Sequence, residues 1–413
     1  MGQNNFYKLV KQEIERIDKT GSTKRKEKII EGFTKEKPPR AIISNKKYYI
    51  FNANDYLSLK YRKELQVGEH KASLVFGSGP GAVRFISGSL KVHRDLEKAV
   101  AKFHKRDDAI VYSSAFAANQ GVIFPLITPQ VKTSLVQDKV LVISDALNHR
   151  SIIDAIRLAN LPKDQRAIFQ HLDFADLEKI IKTAIGKYDR VVIVSDGVFS
   201  MLGELQDLNK INALKQKYDS KFKHGIITIV DDAHGVGAVG KTGRGVDEVF
   251  NAKIDVLIGT FGKAFGADGG YVVGSQTIID YLRESSATYI YSNSISPGTA
   301  GAALSAINLM SGAKGQQILR VLHENIAFFK KEADSAGIPF AAESIHPVQP
   351  VLIGDTLKTK AIVAKLFNMG FLTTAISYPV VPPGRDEIRV QINANHTKAS
   401  IKLLVEKLKN ALS

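Results

Sequence analysis

The residues that can do chemistry in this chain recur just after short apolar runs. Ser113 and Ser114 follow IVY, Asp145 and His149 follow VLVIS, and Asp196 and Ser200 follow VVIVS. Asp231, Asp232 and His234 follow IITIV, and Thr260 and Lys263 follow VLIG. If those runs are strands of a parallel sheet, the groups gather at the carboxyl ends, where loops converge on a crevice. There is no cysteine, which removes thiolate nucleophiles, thiolate metal sites and disulfides together. Lys263, in GTFGKAFGADGG, is a candidate nucleophile. A lysine in an apolar, glycine-lined turn is poorly solvated, so its pKa falls and it can form a Schiff base. Asp231 closes a buried strand and suits the protonated ring nitrogen of pyridoxal phosphate, which makes that ring an electron sink. His234, three residues on, can reach the ring's phenolic oxygen. Ser114, Ala115 and Phe116 open a helix, where amides and a hydroxyl suit the cofactor phosphate.

Two other phosphate-binding patterns overlap at GVGAVGKT, residues 235–242, which fits both G-x-x-x-x-G-K-[ST] and G-x-G-x-x-G. Both motifs need a strand that feeds the glycines directly and a helix that opens after them. Here DDAH stands between strand and glycines, and TGRG follows Lys241. A P-loop NTPase or dinucleotide site is therefore declined in favour of a glycine-rich turn.

The elements that must hold these groups follow from pattern. The runs IVYSS, VLVISD, RAIFQH, VVIVSD, IITIVDD, VLIGTFG and GYVVG are apolar throughout, as in strands buried on both faces. Helices are expected between them at about 90–103, 115–127, 151–158, 176–184 and 208–218, giving a doubly wound α/β domain. After SPG at 296–298 the texture becomes long helices (300–311, 316–336), alternating segments (VQPVLIG, EIRVQIN) and a last helix at 398–412. The expected division is an N-terminal helix (7–19) and basic segment over 1–53, a large α/β domain over 54–295, and a small α+β domain over 296–413.

Composition sets the frame. The 413 residues are 44% hydrophobic and 24% charged, those of a folded globular chain. Lys and Arg outnumber Asp and Glu by 57 to 41, for a net charge of +16, so anionic partners come first. The Lys-rich stretch 24–37 lacks the interleaved aromatics of a single-strand binder, and nucleic-acid binding would rest on charge alone. No apolar run approaches the ~20 residues of a membrane span, and the start has no signal-peptide core. The expectation is a cytoplasmic protein without a membrane span.

Several motifs together resemble one family, the α-oxoamine synthases of the fold-type I pyridoxal phosphate enzymes. They are NDYLSL (54–59), VRFISGS (83–89), SSAFAANQ (113–120), SDALNHRSIIDAIRL (144–158), SDGVFSMLGEL (195–205), DDAHGVGAVGKTGRG (231–245), GTFGKAFGADGGYVVG (259–274), YSNSISP (291–297) and RVQINANHT (389–397). The resemblance spans nearly the whole chain and accounts for the P-loop lookalike, which lies inside one of its motifs. It implies that Lys263 carries the cofactor, Asp231 pairs with its ring nitrogen and His149 stacks on the ring. It also implies that Ser200 and His234 lie near the phenolic oxygen, and that Ser114, Ala115, Phe116 and Thr260 serve the phosphate. Ser292 and Asn293 would complete the phosphate site from the other subunit of a homodimer. Asn54, Arg84 and Arg389 are implied for substrate, with an arginine fork suited to the amino-acid carboxylate. The implied reaction condenses a small amino acid with an acyl-CoA, with no metal. SDALNHRSIIDAIRL, VRFISGS, SNSISP and FYKL are most like members that join glycine to acetyl-CoA. NDYL and AFAANQ are similar also to members that join alanine to a pimeloyl thioester, and other motifs to members that use serine and palmitoyl-CoA. Departures from the pattern are Leu202 in FSMLGEL, the glycine-rich GSGPGAVRF, and extra residues near 128–139 and 219–224.

Overall fold

A computed structural model describes residues 2–19, 23–25, 27–378 and 381–412; Lys26 of the basic stretch lies outside them. The strands, in chain order, are β1 (Gly32–Phe33), β2 (Ala41–Ile43), β3 (Lys46–Ile50), β4 (Asp108–Tyr112), β5 (Val140–Asp145), β6 (Arg166–Phe169) and β7 (Arg190–Asp196). There follow β8 (Ile226–Asp231), β9 (Val256–Thr260), β10 (Gly270–Gly274), β11 (Val348–Leu352), β12 (Phe371–Leu372), β13 (Thr374–Ile376) and β14 (Glu387–Gln391).

Seven of these form the central sheet in the order β4-β10-β9-β8-β7-β5-β6. All neighbours run parallel except β10, which is antiparallel to both β4 and β9. The unbroken apolar runs are explained by what lies on each face. Leu141, Ile143, Val191 and Ile193 enter one hydrophobic core, while Val140, Val142, Val192 and Val194 enter another on the opposite side. Alternate residues of one strand thus meet two layers of helices, and neither face can be polar. Helices Lys91–His104, Ala115–Ile127, Arg150–Leu158, Phe174–Ala184 and Leu208–Tyr218 occupy the anticipated places. Asp173 and Asp207 cap the last two through their side chains, as short oxygen-bearing residues do for unpaired first-turn amides.

Helices Lys63–Phe76, Gln276–Ser285 and Thr356–Asn368 were not read from the sequence. The first packs on helix Pro297–Met310, where a Cβ on Gly68 would stand 2.6 Å from the Gly301 carbonyl. Close approach of small residues replaces the large apolar stripe that periodicity detects. Helix Pro297–Met310 packs also on Lys91–His104, so it belongs with the large domain although it follows residue 296. At the other end, β3 pairs in parallel with β12, and β1-β2-β3-β12 form one sheet. Residues 32–50 are therefore built into the C-terminal unit, in which β11-β14-β13 form a further sheet. Helix Gly2–Lys19 buries no residue. Among the described residues, no helix is long and apolar enough to cross a membrane.

Candidate active site

The carboxyl ends of β5, β7, β8 and β9 open on one narrow cleft, lined by Ala115, Phe116, His149, Ser151, Asp196, Val198, Ser200, Asp231, Ala233, His234 and Lys263. A wider hollow lies around Arg106, Arg244 and Asp247. It is open to solvent at the strands' other ends, and none of the candidate groups reaches it, so the chemistry belongs to the smaller cleft.

Asp231 is buried, and its carboxylate is fixed: Oδ2 accepts from Asn119 Nδ2 at 2.5 Å and Oδ1 from the Ala233 amide at 3.0 Å. Register places Asp196 beside it on β7. Burial, and then the charge of Asp231, push the Asp196 carboxyl well above its ordinary value; two adjacent carboxyls in a dry site cannot both ionise easily. Asp196 Oδ2 accepts the His149 amide at 3.1 Å, and His149 Nδ1 meets Ser151 Oγ at 2.7 Å. Burial lowers the imidazole's pKa, Asp231 opposes and Lys263 adds to the fall. The Lys263 ammonium is carried down to about 8, first by burial and further by Arg389, against the pull of Asp231 and Asp196. A lysine so placed holds an appreciable neutral fraction near neutral pH, as a nucleophilic amine requires.

His234 is pushed well down by burial, with Lys263 and Arg389 next in effect, and its Nδ1 lies 2.8 Å from the Tyr56 hydroxyl. Tyr56 also donates to Asn54 Oδ1 at 3.3 Å, and Gln391 Nε2 donates to that oxygen at 2.6 Å. Arg389, on β14, donates from Nε to the Ser200 carbonyl at 2.7 Å. Asn54, Ser200, His234 and Arg389 thus converge where the small domain meets the cleft. Burial raises the Tyr56 phenol to about 12, with Arg389 and Gln391 opposing, so it stays a neutral donor. His346 supports this layer: its ring nitrogen is 2.8 Å from the His234 carbonyl.

Ser114 caps helix Ala115–Ile127, its hydroxyl accepting the Ala117 amide at 3.1 Å. The amides of Ala115 and Phe116 have no intrahelical acceptor at this terminus. A Cβ on Gly270 would lie 2.4 Å from the Ser114 carbonyl and the Ala115 nitrogen; glycine lets β10 press against the terminus. The Thr260 hydroxyl donates to the Gly269 carbonyl at 3.0 Å and accepts the Gly262 amide at 3.1 Å, so it must turn from Gly269 to reach a phosphate. Ser292 and Asn293 lie on an exposed turn.

Arg84 is not brought to this cleft. It is buried on Glu97, with Nη2 at 3.0 Å from Oε1, in a network that also holds Arg94, Asp108 and Arg283. Its part is structural here, since a buried Glu97 needs paired cations. The P-loop lookalike is also accounted for. The Thr242 amide and hydroxyl bind Glu248 at 2.9 and 2.8 Å, and the helix beyond, Val246–Val249, is a single turn. A carboxylate takes the Thr242 amide, and backbone carbonyls take those of Gly237, Ala238 and Val239 that a phosphate would need.

Sequence reasoning did not single out Tyr56, Asn119, Ser151, His346 or Gln391. Tyr56, Asn119, Ser151 and Gln391 lie inside the family's motifs, but only the fold shows that their side chains meet His234, Asp231, His149 and Asn54.

The cleft fits pyridoxal phosphate on three observations. An amine whose pKa burial lowers faces it, a fixed carboxylate closes its floor, and a helix N-terminus borders it at Ala115 and Phe116. Residues 46–408 match the aminotransferase class I and II family. The chain is 36% identical over 408 residues to 8-amino-7-oxononanoate synthase of Petrotoga mobilis, covering 98% of this chain and 97% of that one. It is 36% identical over 359 residues to human mitochondrial 2-amino-3-ketobutyrate coenzyme A ligase, covering 86% and 80%. Serine palmitoyltransferase from S. paucimobilis, solved with a PLP-myriocin aldimine, superposes with a TM-score of 0.85 at 26% identity, covering 99% and 97%. Sequence match, fold and site agree, and the chain belongs to the aminotransferase class I and II family, in its α-oxoamine synthase branch.

Proposed function

We propose that the protein condenses a small amino acid with an acyl-CoA thioester, and that glycine and acetyl-CoA are its substrates. The observation that carries the reaction type is the Lys263 amine, lowered to about 8 and facing Asp231, His149 and His234 in one cleft, with Arg389 held on the carbonyl of Ser200 at its edge. Pyridoxal phosphate is the cofactor, and it supplies an electron sink for negative charge developing beside the amino-acid nitrogen.

The chain's own groups divide the rest. Lys263 would carry the cofactor, Asp231 its ring nitrogen, and the Ala115 and Phe116 amides its phosphate, with Ser114, Thr260 and, from the partner of a homodimer, Ser292 and Asn293 around it. His149, held by Ser151 and by its own amide on Asp196, is oriented to stack on the ring and to donate to the thioester carbonyl. Ser200 and His234 flank the phenolic oxygen. Arg389 and Asn54 take the amino-acid carboxylate, and Lys263 Nζ, once free, removes the proton from the α-carbon.

The name of the Petrotoga relative supports a second reading, alanine with a pimeloyl thioester. A matrix of glycine, alanine and serine against acetyl-, pimeloyl- and palmitoyl-CoA, read by free-thiol release, decides between them. Greatest kcat/KM away from glycine and acetyl-CoA overturns the first reading, and no thiol release from any pair overturns the reaction type.

A further inference from the structure

Glu387 is a buried carboxyl that the chemistry above leaves unused. It lies in β14 with no exposure to solvent, and neither of its oxygens has a hydrogen-bond partner among the described residues. Burying an unpartnered carboxyl is costly, so its presence calls for a physical account. Alternate residues of a strand share a face, which sets Glu387, Arg389 and Gln391 in a row at intervals of about 7 Å. The inner two reach the large domain, Gln391 through Asn54 and Arg389 through the Ser200 carbonyl. On the flanking strands, Glu387 is paired with Leu352 and Ile376, which offer no side-chain donor. The charged groups around it are Arg389, Arg385 and Glu204. Arg385 is engaged with the Ala341 carbonyl at 2.6 Å, and Glu204 with His171 at 3.1 Å. Of the two arginines, Arg389 shares Glu387's face of β14 and donates to the Ser200 carbonyl at the cleft, so it is the one to which the proposed function gives the substrate carboxylate.

We propose that Glu387 is a positioning residue for Arg389: as a neutral acid it leaves the guanidinium to the amino-acid carboxylate, and as an anion it draws the guanidinium away. Burial carries this carboxyl up to about 8, against Arg389 and Arg385 and with Glu204 adding, so the change falls where enzymes can be assayed. The inference rests on Arg389 as the carboxylate ligand, and binding of the amino acid alone separates the two claims.

The test titrates holoenzyme with glycine, alanine or serine, without acyl-CoA, and follows the cofactor's absorbance from about pH 6.5 to 9.5. Apparent Kd scales inversely with the competent fraction, so the ratio of wild-type to Glu387→Gln Kd rises about tenfold between pH 7 and 9. Titration of the free amino acid and of Lys263 is common to both proteins and cancels. A flat ratio overturns the positioning role, whereas wild-type holoenzyme that binds none of the three amino acids at any pH overturns the carboxylate site itself. Thermal melting gives a second readout. The folded chain keeps a proton that the unfolded chain releases between the ordinary value of 4.5 and about 8, so wild-type stability falls relative to Glu387→Gln across that window. Parallel melting curves for the two proteins count against the neutral acid and overturn the proposal.

Discussion

At the scale of single residues, function sits on groups whose burial works against their ordinary charge. Lys263 is the sharpest case. Lys263→Ala is expected to abolish both the visible Schiff-base absorbance and all thiol release; turnover by this variant would overturn the assignment. Its lowered pKa also fixes a sign. The folded apoprotein holds fewer protons than the unfolded chain between about 8 and the ordinary 10.5, so the strain of the buried ammonium is greatest below pH 8 and is relieved as pH rises. Apoprotein carrying Lys263→Met should then melt above wild-type apoprotein at pH 7, and the gap should close toward pH 10.5. An unchanged gap would show that the amine is not strained. Sequence disclosed this lysine through its small neighbours. It could not disclose Asn119, whose amide holds Asp231 across 112 residues of chain.

Among the elements, two loops decide whether the site is assembled. The first, residues 199–204, carries Ser200 and is tied down by His171, whose ring nitrogens lie 2.9 Å from Asp145 Oδ1 and 3.1 Å from Glu204 Oε2. Burial lowers that imidazole, but hydrogen bonds and charges of Asp145 and Glu204 outweigh it and carry the pKa up to about 9. The clamp's stability is complete below the ordinary 6.5 and is lost as pH rises through 9. His171→Ala should raise the amino-acid KM about fivefold to tenfold, because the Arg389 anchor on Ser200 loosens, while the cofactor absorbance stays. Its stability deficit should shrink from pH 6.5 to 9 in melting experiments. The second loop follows Asp232, a buried carboxyl ringed by glycines. A Cβ on Gly245 would lie 1.8 Å from Asp232 Oδ2, and Gly245 has φ +97. Gly245→Ala should cost about 2 kcal/mol or more in urea unfolding; a cost under about 0.5 kcal/mol would mean that the turn adapts. Gly235, the first glycine of the P-loop pattern, also faces Asp232, with a Cβ there 2.0 Å from Oδ1, and its role is to let the backbone close around a carboxylate.

For the molecule as a whole, the sheet sets one half of the site and the small domain brings the other. Arg389 and Gln391 come from β14, and Asn54 follows β3, whose partner β12 is more than 300 residues away. Ser292 and Asn293, on an exposed turn, are expected to act across a homodimer. Sedimentation should give twice the 45.2 kDa chain mass. Co-refolding inactive Lys263→Ala with an impaired Asn293→Ala should restore activity above either variant alone, since one of the two mixed sites is then intact. Equal or lower activity would place Asn293 outside its neighbour's site.

The sequence by itself determined the central sheet, because strands buried on both faces must be apolar without a break, and it determined the strand-end residues, because polar groups there interrupt those runs. His149, Asp231, His234 and Lys263 were legible for that reason. The tertiary structure alone decided that Arg84 serves Glu97, that residues 32–50 join the C-terminal unit, that Tyr56, Asn119 and His346 support the site, and that Glu387 is buried without a partner. Those facts depend on contacts between residues far apart in the chain, and a pattern read over a few neighbouring residues carries no term for such contacts.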